Sequence, residues 1–166
     1  NGEKQPEDLK IATWNHNSTR SAWRKGALQG FLEDNRDVDV LCVQEVRASL
    51  QNLDDTKGFW ELLRHRGYRW TLWHWCTKAG LNAGYSGTAI LSKYPLRDTQ
   101  IGLRGRFLEE GRALTATIQG QTITNTYTPC SGRDFRFRRK RQDYDAAIGS
   151  LAADMQTVKA DYLLDR

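Results

Sequence analysis

Residues 38 to 47 read VDVLCVQEVR. Val38 to Val43 is almost uninterrupted apolar sequence rich in β-branched residues, the pattern of a strand buried on both faces, and it runs straight into Gln44, Glu45 and Arg47. Removing an ionised carboxylate from water is costly unless a cation or hydrogen bonds receive it. Glu45 at such a strand end is therefore a candidate ligand for a hard cation. The alternative is a strand that surfaces at Gln44 and leaves Glu45 solvated or paired with Arg47.

Upstream, Lys10 to Trp14 (KIATW) makes a short strand that delivers Asn15, His16, Asn17 and Ser18 to a loop at its end, where polar side chains commonly build sites. Trp23, Ala27, Leu28, Phe31 and Leu32 then recur at three- and four-residue spacing, which predicts one amphipathic helix capped near Ser18 or Thr19. Strand, helix and buried strand form a βαβ unit with a parallel pair and a right-handed crossover. Asn15, Asn17 and Glu45 then emerge on one edge.

Downstream, Phe59, Trp60, Leu62 and Leu63 give the stripe of a helix over 57–66, stopped by Gly67. The period changes to two in YRWTLWHWC (68–76) and SGTAILS (86–92), two strands, the second ended by Pro95. RALTATI and TITNTY, around Gln119, Gly120 and Gln121, read as a hairpin over 112–127 that ends at Tyr127. A third helix begins near Arg138 and buries Tyr144, Ile148, Leu151, Met155 and Val158. YLL at 162–164 reads as the start of a further strand. Residues 1–9 form a polar, flexible lead-in.

At 166 residues one domain with a real core is expected. Six Trp and six Tyr argue against disorder, and a net charge of +5 permits an anionic partner. Cys42, Cys76 and Cys130 are odd in number and lack CxxC spacing, which favours neither disulfides nor thiolate zinc and suggests a reducing compartment. No apolar run approaches the roughly 18 residues that span a bilayer, and no signal-peptide pattern opens the chain, so no membrane partner and no secretion are expected.

His16, His65 and His74 are scattered among unrelated elements, so core or surface filling outweighs catalysis for each. GxSxG, Walker and GxGxxG sequences are missing, which removes support for serine-nucleophile and nucleotide-cofactor chemistry. In RDFRFRRKR, Arg133 to Arg141, six cations are interleaved with Phe135 and Phe137. Such a stretch suits a phosphate backbone, with aromatics free to meet bases or sugars. It equally describes a solvated helix start with buried Phe anchors, although cations at a helix N-terminus oppose the macrodipole.

KIATWNHN followed by Arg20, DVDVLCVQE, GYSGTAILSKYPL, EGRALTATI and TNTYTP occur in an order and spacing that resemble the exonuclease III family of apurinic/apyrimidinic endonucleases, within the endonuclease/exonuclease/phosphatase superfamily. The likeness runs from about Lys10 to Met155. YSG, EGR and the Tyr-x-Pro are the motifs particular to the DNA-repair branch. The resemblance implies a DNase I-like four-layer α/β sandwich, a mixed sheet with flanking helices, of which residues 10–166 are the N-terminal half.

It further implies a nuclease that hydrolyses the phosphodiester 5′ to an abasic site in double-stranded DNA, with Mg²⁺ as cofactor and Mn²⁺ as a substitute. Glu45 looks like the magnesium ligand, supported by Asn15 and Asn17. Tyr127 resembles the phenol that faces the scissile phosphate, acting through a low pKa or a hydrogen bond. Arg47, Tyr85, Arg112, Arg133 and Arg136 fall among the DNA contacts. Ser18 and Thr19 replace the usual Gly-Leu, His16 stands at a normally apolar position, and Cys130 stands where an amide is common.

The family's GDxN and Ser-Asp-His motifs are expected beyond residue 166, on a missing half that is separate or disordered, so little activity is expected of these residues alone. Nuclear or mitochondrial placement goes with a eukaryotic source, cytoplasmic with any other. Two further activities fit the same residues: another phosphodiesterase of the superfamily (DNase I-like, retrotransposon endonuclease or inositol phosphatase), and a non-catalytic nucleic-acid-binding half-domain.

Overall fold

The computed structural model describes residues 9–81 and 84–164, with side chains described up to residue 155. The chain divides into two compact units, Asn1–Gly102 with Phe107–Tyr127, and Leu103–Arg106 with Thr128–Arg166. The expected lead-in, except for its last residue, lies outside the described residues.

In the first unit, β1 (Ile11–Asn15) and β2 (Val40–Gln44) pair in parallel, with Ile11 opposite Val40 and Asn15 opposite Gln44. β4 (Thr88–Ser92) lies antiparallel to β2, and β3 (Trp70–His74) antiparallel to β4, so the mixed sheet has the order β1-β2-β4-β3. A second, antiparallel sheet is formed by β5 (Arg97–Ile101), β6 (Ala113–Ile118) and β7 (Gln121–Thr126) in that order. The β6–β7 hairpin turns on Gln119 and Gly120, with φ of 50° and 77°, the left-handed pair that a two-residue turn demands.

β2 reads as continuous apolar sequence because its alternate residues enter two different cores. Val40 and Cys42 join Ile90 and, from the second sheet, Leu114, Ala116 and Ile118. Leu41 and Val43 face outward with Ala89 and Leu91, against residues of α2 (Ala27–Asp34), α3 (Leu50–Asp54) and α4 (Phe59–His65) such as Leu28, Leu32, Leu53, Phe59 and Leu63. Each fully buried aliphatic side chain stabilises by about 2 kcal/mol, so β2 is a rigid mount for whatever follows it.

Several expectations need correction. The single helix expected over 18–32 is two, α1 (Thr19–Arg24) and α2, because Gly26 adopts φ 72° and breaks the run. Ser18 does cap α1, its Oγ accepting from the Ser21 amide. β5 was not expected. Its five residues are all exposed, so no apolar alternation betrays them. α3 was missed as well; it is only five residues long and starts with a reciprocal Ser49–Asn52 capping box.

In the second unit a 3-10 turn at Arg133–Phe135 leads to α5 (Arg138–Leu164), on which Tyr144 and Ala147 are buried. The strand expected at 162–164 is instead the last turn of α5. An apolar triplet with no Gly or Pro before it carries no signal to separate the two. Val158, expected on the buried face, lies outside the described side chains. Among the described residues no helix is long and apolar enough to cross a membrane.

Candidate active site

The chain leaves β2 through Glu45 at φ 55° and Arg47 at φ 47°, two left-handed residues either side of the fully buried Val46. Such conformations are unfavourable for non-glycine residues and persist only where neighbours impose them. Here four backbone bonds do so. The Ser18 and Thr19 amides donate to the Glu45 and Val46 carbonyls, at 2.8 and 2.9 Å. The Val46 and Arg47 amides donate to Gly87 and Ser86, at 3.0 and 2.8 Å. Gly87 permits this approach, since a Cβ there would lie 2.9 Å from that of Val46.

Three groups converge on the Glu45 carboxylate. Asn15 Nδ2 donates to Oε1 across 2.9 Å, and the Tyr127 hydroxyl donates to the same oxygen across 3.0 Å. Arg47 pairs with Oε2 at 2.5 Å. Asn17 enters by its main chain, its amide donating to Asn15 Oδ1 across 3.2 Å, while its side chain is exposed.

Partial burial pushes the Glu45 carboxyl up, but the hydrogen bonds from Asn15 and Tyr127 and the Arg47 charge outweigh it and hold the pKa below the usual carboxylate range. Glu45 is therefore ionised at neutral pH. Tyr127 moves the other way. Burial, then its bond to the Glu45 carboxylate, push the phenol's pKa up, opposed by Arg112 and Arg47. Of the two expectations for Tyr127, the lowered pKa is corrected: it is a neutral donor.

Arg112, grouped by sequence with the DNA contacts, is 3% exposed. Its guanidinium bonds Glu110 through Nε at 2.8 Å, the Tyr85 hydroxyl through Nη2 at 2.7 Å and the Tyr127 carbonyl at 3.3 Å, and it lies over both tyrosine rings. It orders the two tyrosines. Lys78 closes the chain with a 2.7 Å bond to Glu110. Tyr85 is partly exposed behind Arg112, and the half-exposed Arg47 pairs directly with the Glu45 carboxylate. Arg133 and Arg136 belong to the second unit.

Sequence reasoning did not assign Asn125, Gln44 or Glu110. Asn125 Nδ2 donates to the Val43 and Ala89 carbonyls at 2.9 and 2.8 Å, and its Oδ1 accepts from Gln44 Nε2 at 2.7 Å. This buried amide of β7 stitches the second sheet to β2 and β4. It thereby fixes Tyr127, two residues on, opposite Glu45, one residue past Gln44. The available signal was an Asn two residues from Ile123, on the face of the strand that turns toward the core, since a buried amide requires partners. His74 and His16 are buried or nearly so, as expected for filling residues. His74 Nδ1 and Nε2 lie 2.9 and 2.7 Å from the Ala113 and Leu108 carbonyls.

A match to the endonuclease/exonuclease/phosphatase family extends over residues 12–158. The chain belongs to that family. An exodeoxyribonuclease of Bacillus subtilis is 28% identical over 153 residues, covering 91% of this chain and 55% of its own length. Among solved structures of the family, an AP endonuclease from Archaeoglobus fulgidus superposes with a TM-score of 0.57 at 30% identity, covering 73% of this chain and 41% of that one. An AP endonuclease from Leishmania major gives 0.66 at 26% identity, covering 87% and 48%. The expected mixed α/β, DNase I-like architecture is thus present, and the chain spans about half the length of these relatives.

Proposed function

We propose that this chain carries one half of the active site of a DNA-repair phosphodiesterase that hydrolyses the bond 5′ to an abasic site with the help of Mg²⁺. The observation that carries it is the Glu45 carboxylate, ionised and aimed by Asn15, Tyr127 and Arg47 at the end of a buried central strand. The names of the relatives and the Tyr-x-Pro and EGR motifs support the DNA-repair branch.

The donor set suits magnesium. Glu45 and the side-chain oxygens of Asn15 and Asn17 are hard ligands, and Mg²⁺ is commonly held by one or two carboxylates with waters completing its shell. Among the described residues no group of three His, Cys, Asp or Glu gathers, and Glu45 is the carboxylate that the described part would provide. A cation already faces it, in the form of the Arg47 guanidinium. When bound, the ion would neutralise charge that develops on phosphate oxygens. Tyr127, a neutral phenol, would donate to a phosphate oxygen in exchange for its bond to Glu45, and Arg47 would hold the anionic backbone. Arg112 keeps Tyr85 and Tyr127 at fixed spacing, and positioning of this kind dominates phosphoryl-transfer catalysis.

The test compares cleavage of an abasic duplex, an intact duplex and an inositol phosphate by the protein that carries this chain, with Mg²⁺ and with a chelator. Abasic incision that needs Mg²⁺ and falls roughly 100-fold or more in Glu45→Gln is expected. Cleavage confined to intact DNA or to the inositol phosphate assigns the chain to another branch, and incision indifferent to Glu45 removes the proposal.

A further inference from the structure

Phe135 is 72% exposed, the most exposed of the large hydrophobic side chains described, and it stands in the second unit on a backbone in the left-handed region. Asp134 and Phe135 have φ of 53° and 57° in succession. Consecutive left-handed residues without glycine are unfavourable, and a phenyl group in water gains nothing that offsets them. The neighbouring Phe137 behaves differently. Its ring lies against the Arg136 guanidinium at 4.7 Å and so close to Gly132 that a Cβ there would come within 2.6 Å. Its amide donates to the Ser131 carbonyl across 2.8 Å. Phe137, itself 45% exposed, packs on the turn, and Phe135 is the ring displayed furthest.

Charge marks the kind of partner. Residues 133–141 carry six cations against the single Asp134, a net +5 that equals the net charge of the whole chain. The remaining residues therefore sum to zero, and the net positive charge of the chain is concentrated here. Helix α5 has no acidic residue in its first turn, and Arg141 pairs with Asp145 one turn further along. An exposed flat ring set among guanidinium groups matches a base with its flanking phosphates, because every base offers a face for stacking while the cations neutralise the backbone.

We infer that Phe135 is a stacking platform for an unpaired base, and that the Arg133–Arg141 segment binds single-stranded or frayed nucleic acid in preference to intact duplex. This rests on the proposal above that the chain acts on nucleic acid. The partner needs unpaired bases because in a duplex both faces of each base are already stacked.

The experiment measures binding of the 166-residue chain to a fluorescent single-stranded oligonucleotide containing 2-aminopurine, and to its blunt duplex, over a range of salt. Wild type is expected to prefer the single strand and to quench the 2-aminopurine. Phe135→Ala is expected to lose roughly ten-fold in single-strand affinity, with an unchanged salt slope and duplex binding altered less than about two-fold, while Phe135→Trp retains affinity. Arg138→Ala with Arg139→Ala is expected to lower the salt slope by about 1.4, roughly 0.7 for each phosphate no longer neutralised.

No binding, equal loss on both ligands in Phe135→Ala, or no loss at all overturns the inference. Binding that depends on Phe135 in a protein that never incises DNA would remove the catalytic proposal and leave this one standing. Incision with a neutral Phe135→Ala would do the reverse.

Discussion

The Tyr127 hydroxyl donates to Oε1 of Glu45 across 3.0 Å, although 82 positions of sequence separate the two residues. One ends a strand of the second sheet and the other ends the central strand of the first, so their meeting reports the register between sheets.

In Tyr127→Phe the Glu45 carboxyl loses one of the two hydrogen bonds to its Oε1, and its pKa is expected to rise. Carbon-detected NMR titration of Glu45 measures it. An unchanged titration would mean the bond does not form in solution. Folding stability is expected to drop by only about 1 kcal/mol, since the ring and its packing stay.

His16 gives the chain an acid-sensitive step. Burial first of all pushes its imidazole down, from 6.5 to about 4, while the Gln44 backbone and the Glu45 charge pull weakly upward. The unfolded chain therefore binds a proton at pH values where the folded one does not. Stability is full above about 6.5 and falls as pH drops toward 4, by at most about 2 kcal/mol between pH 7 and pH 5. Urea unfolding at both pH values measures it. His16→Val is expected to flatten this window, and an equally steep loss in that variant would refute the assignment.

Glycine at 111 is required by close approach as well as by φ. A Cβ there would come 2.7 Å from the His74 carbonyl oxygen and 2.9 Å from Gly87 Cα, at φ 64°, whereas at Gly105, φ 77°, it would meet nothing within 4 Å. Gly111→Ala is expected to cost about 3 kcal/mol and Gly105→Ala about 1 kcal/mol by denaturant melts. Equal losses would show that backbone conformation alone matters.

Asn125→Leu keeps the volume and removes both donors, leaving the Val43 and Ala89 carbonyls and the Gln44 amide without that partner. A loss of about 1–3 kcal/mol is expected from the buried polar groups. In the same variant the Tyr127–Glu45 bond is expected to weaken, read as a rise in the Glu45 pKa. A stable variant with an undisturbed Glu45 would show that the sheets find their register without this amide.

Much of the fold was legible because it is written in short-range periodicity. The apolar run of β2, the alternation of β3, the short run of β4 and the stripe of α4 each disclosed an element, and strand, helix, strand disclosed the parallel pair. Gly26 hid the break between α1 and α2, since glycine is tolerated inside a helical pattern until its φ is known. Asn15, Glu45 and Tyr127 were legible as polar residues at strand ends and through family motifs, whereas the direction of the Tyr127 pKa was not.

From its sequence alone this chain is determined to have a doubly buried central strand that ends in a carboxylate, a parallel partner strand that ends in an amide, and a basic aromatic segment, because each depends on residues within a few positions of one another. Only the tertiary structure decided that Arg112 is buried behind two tyrosines, that Asn125 locks the sheets, and that Phe135 is more exposed than Phe137, which packs on the turn at Gly132. Those outcomes depend on which groups meet across long stretches of chain and on which side of a turn a ring falls. Hydrogen-bond partners and burial of that kind leave no period in the sequence.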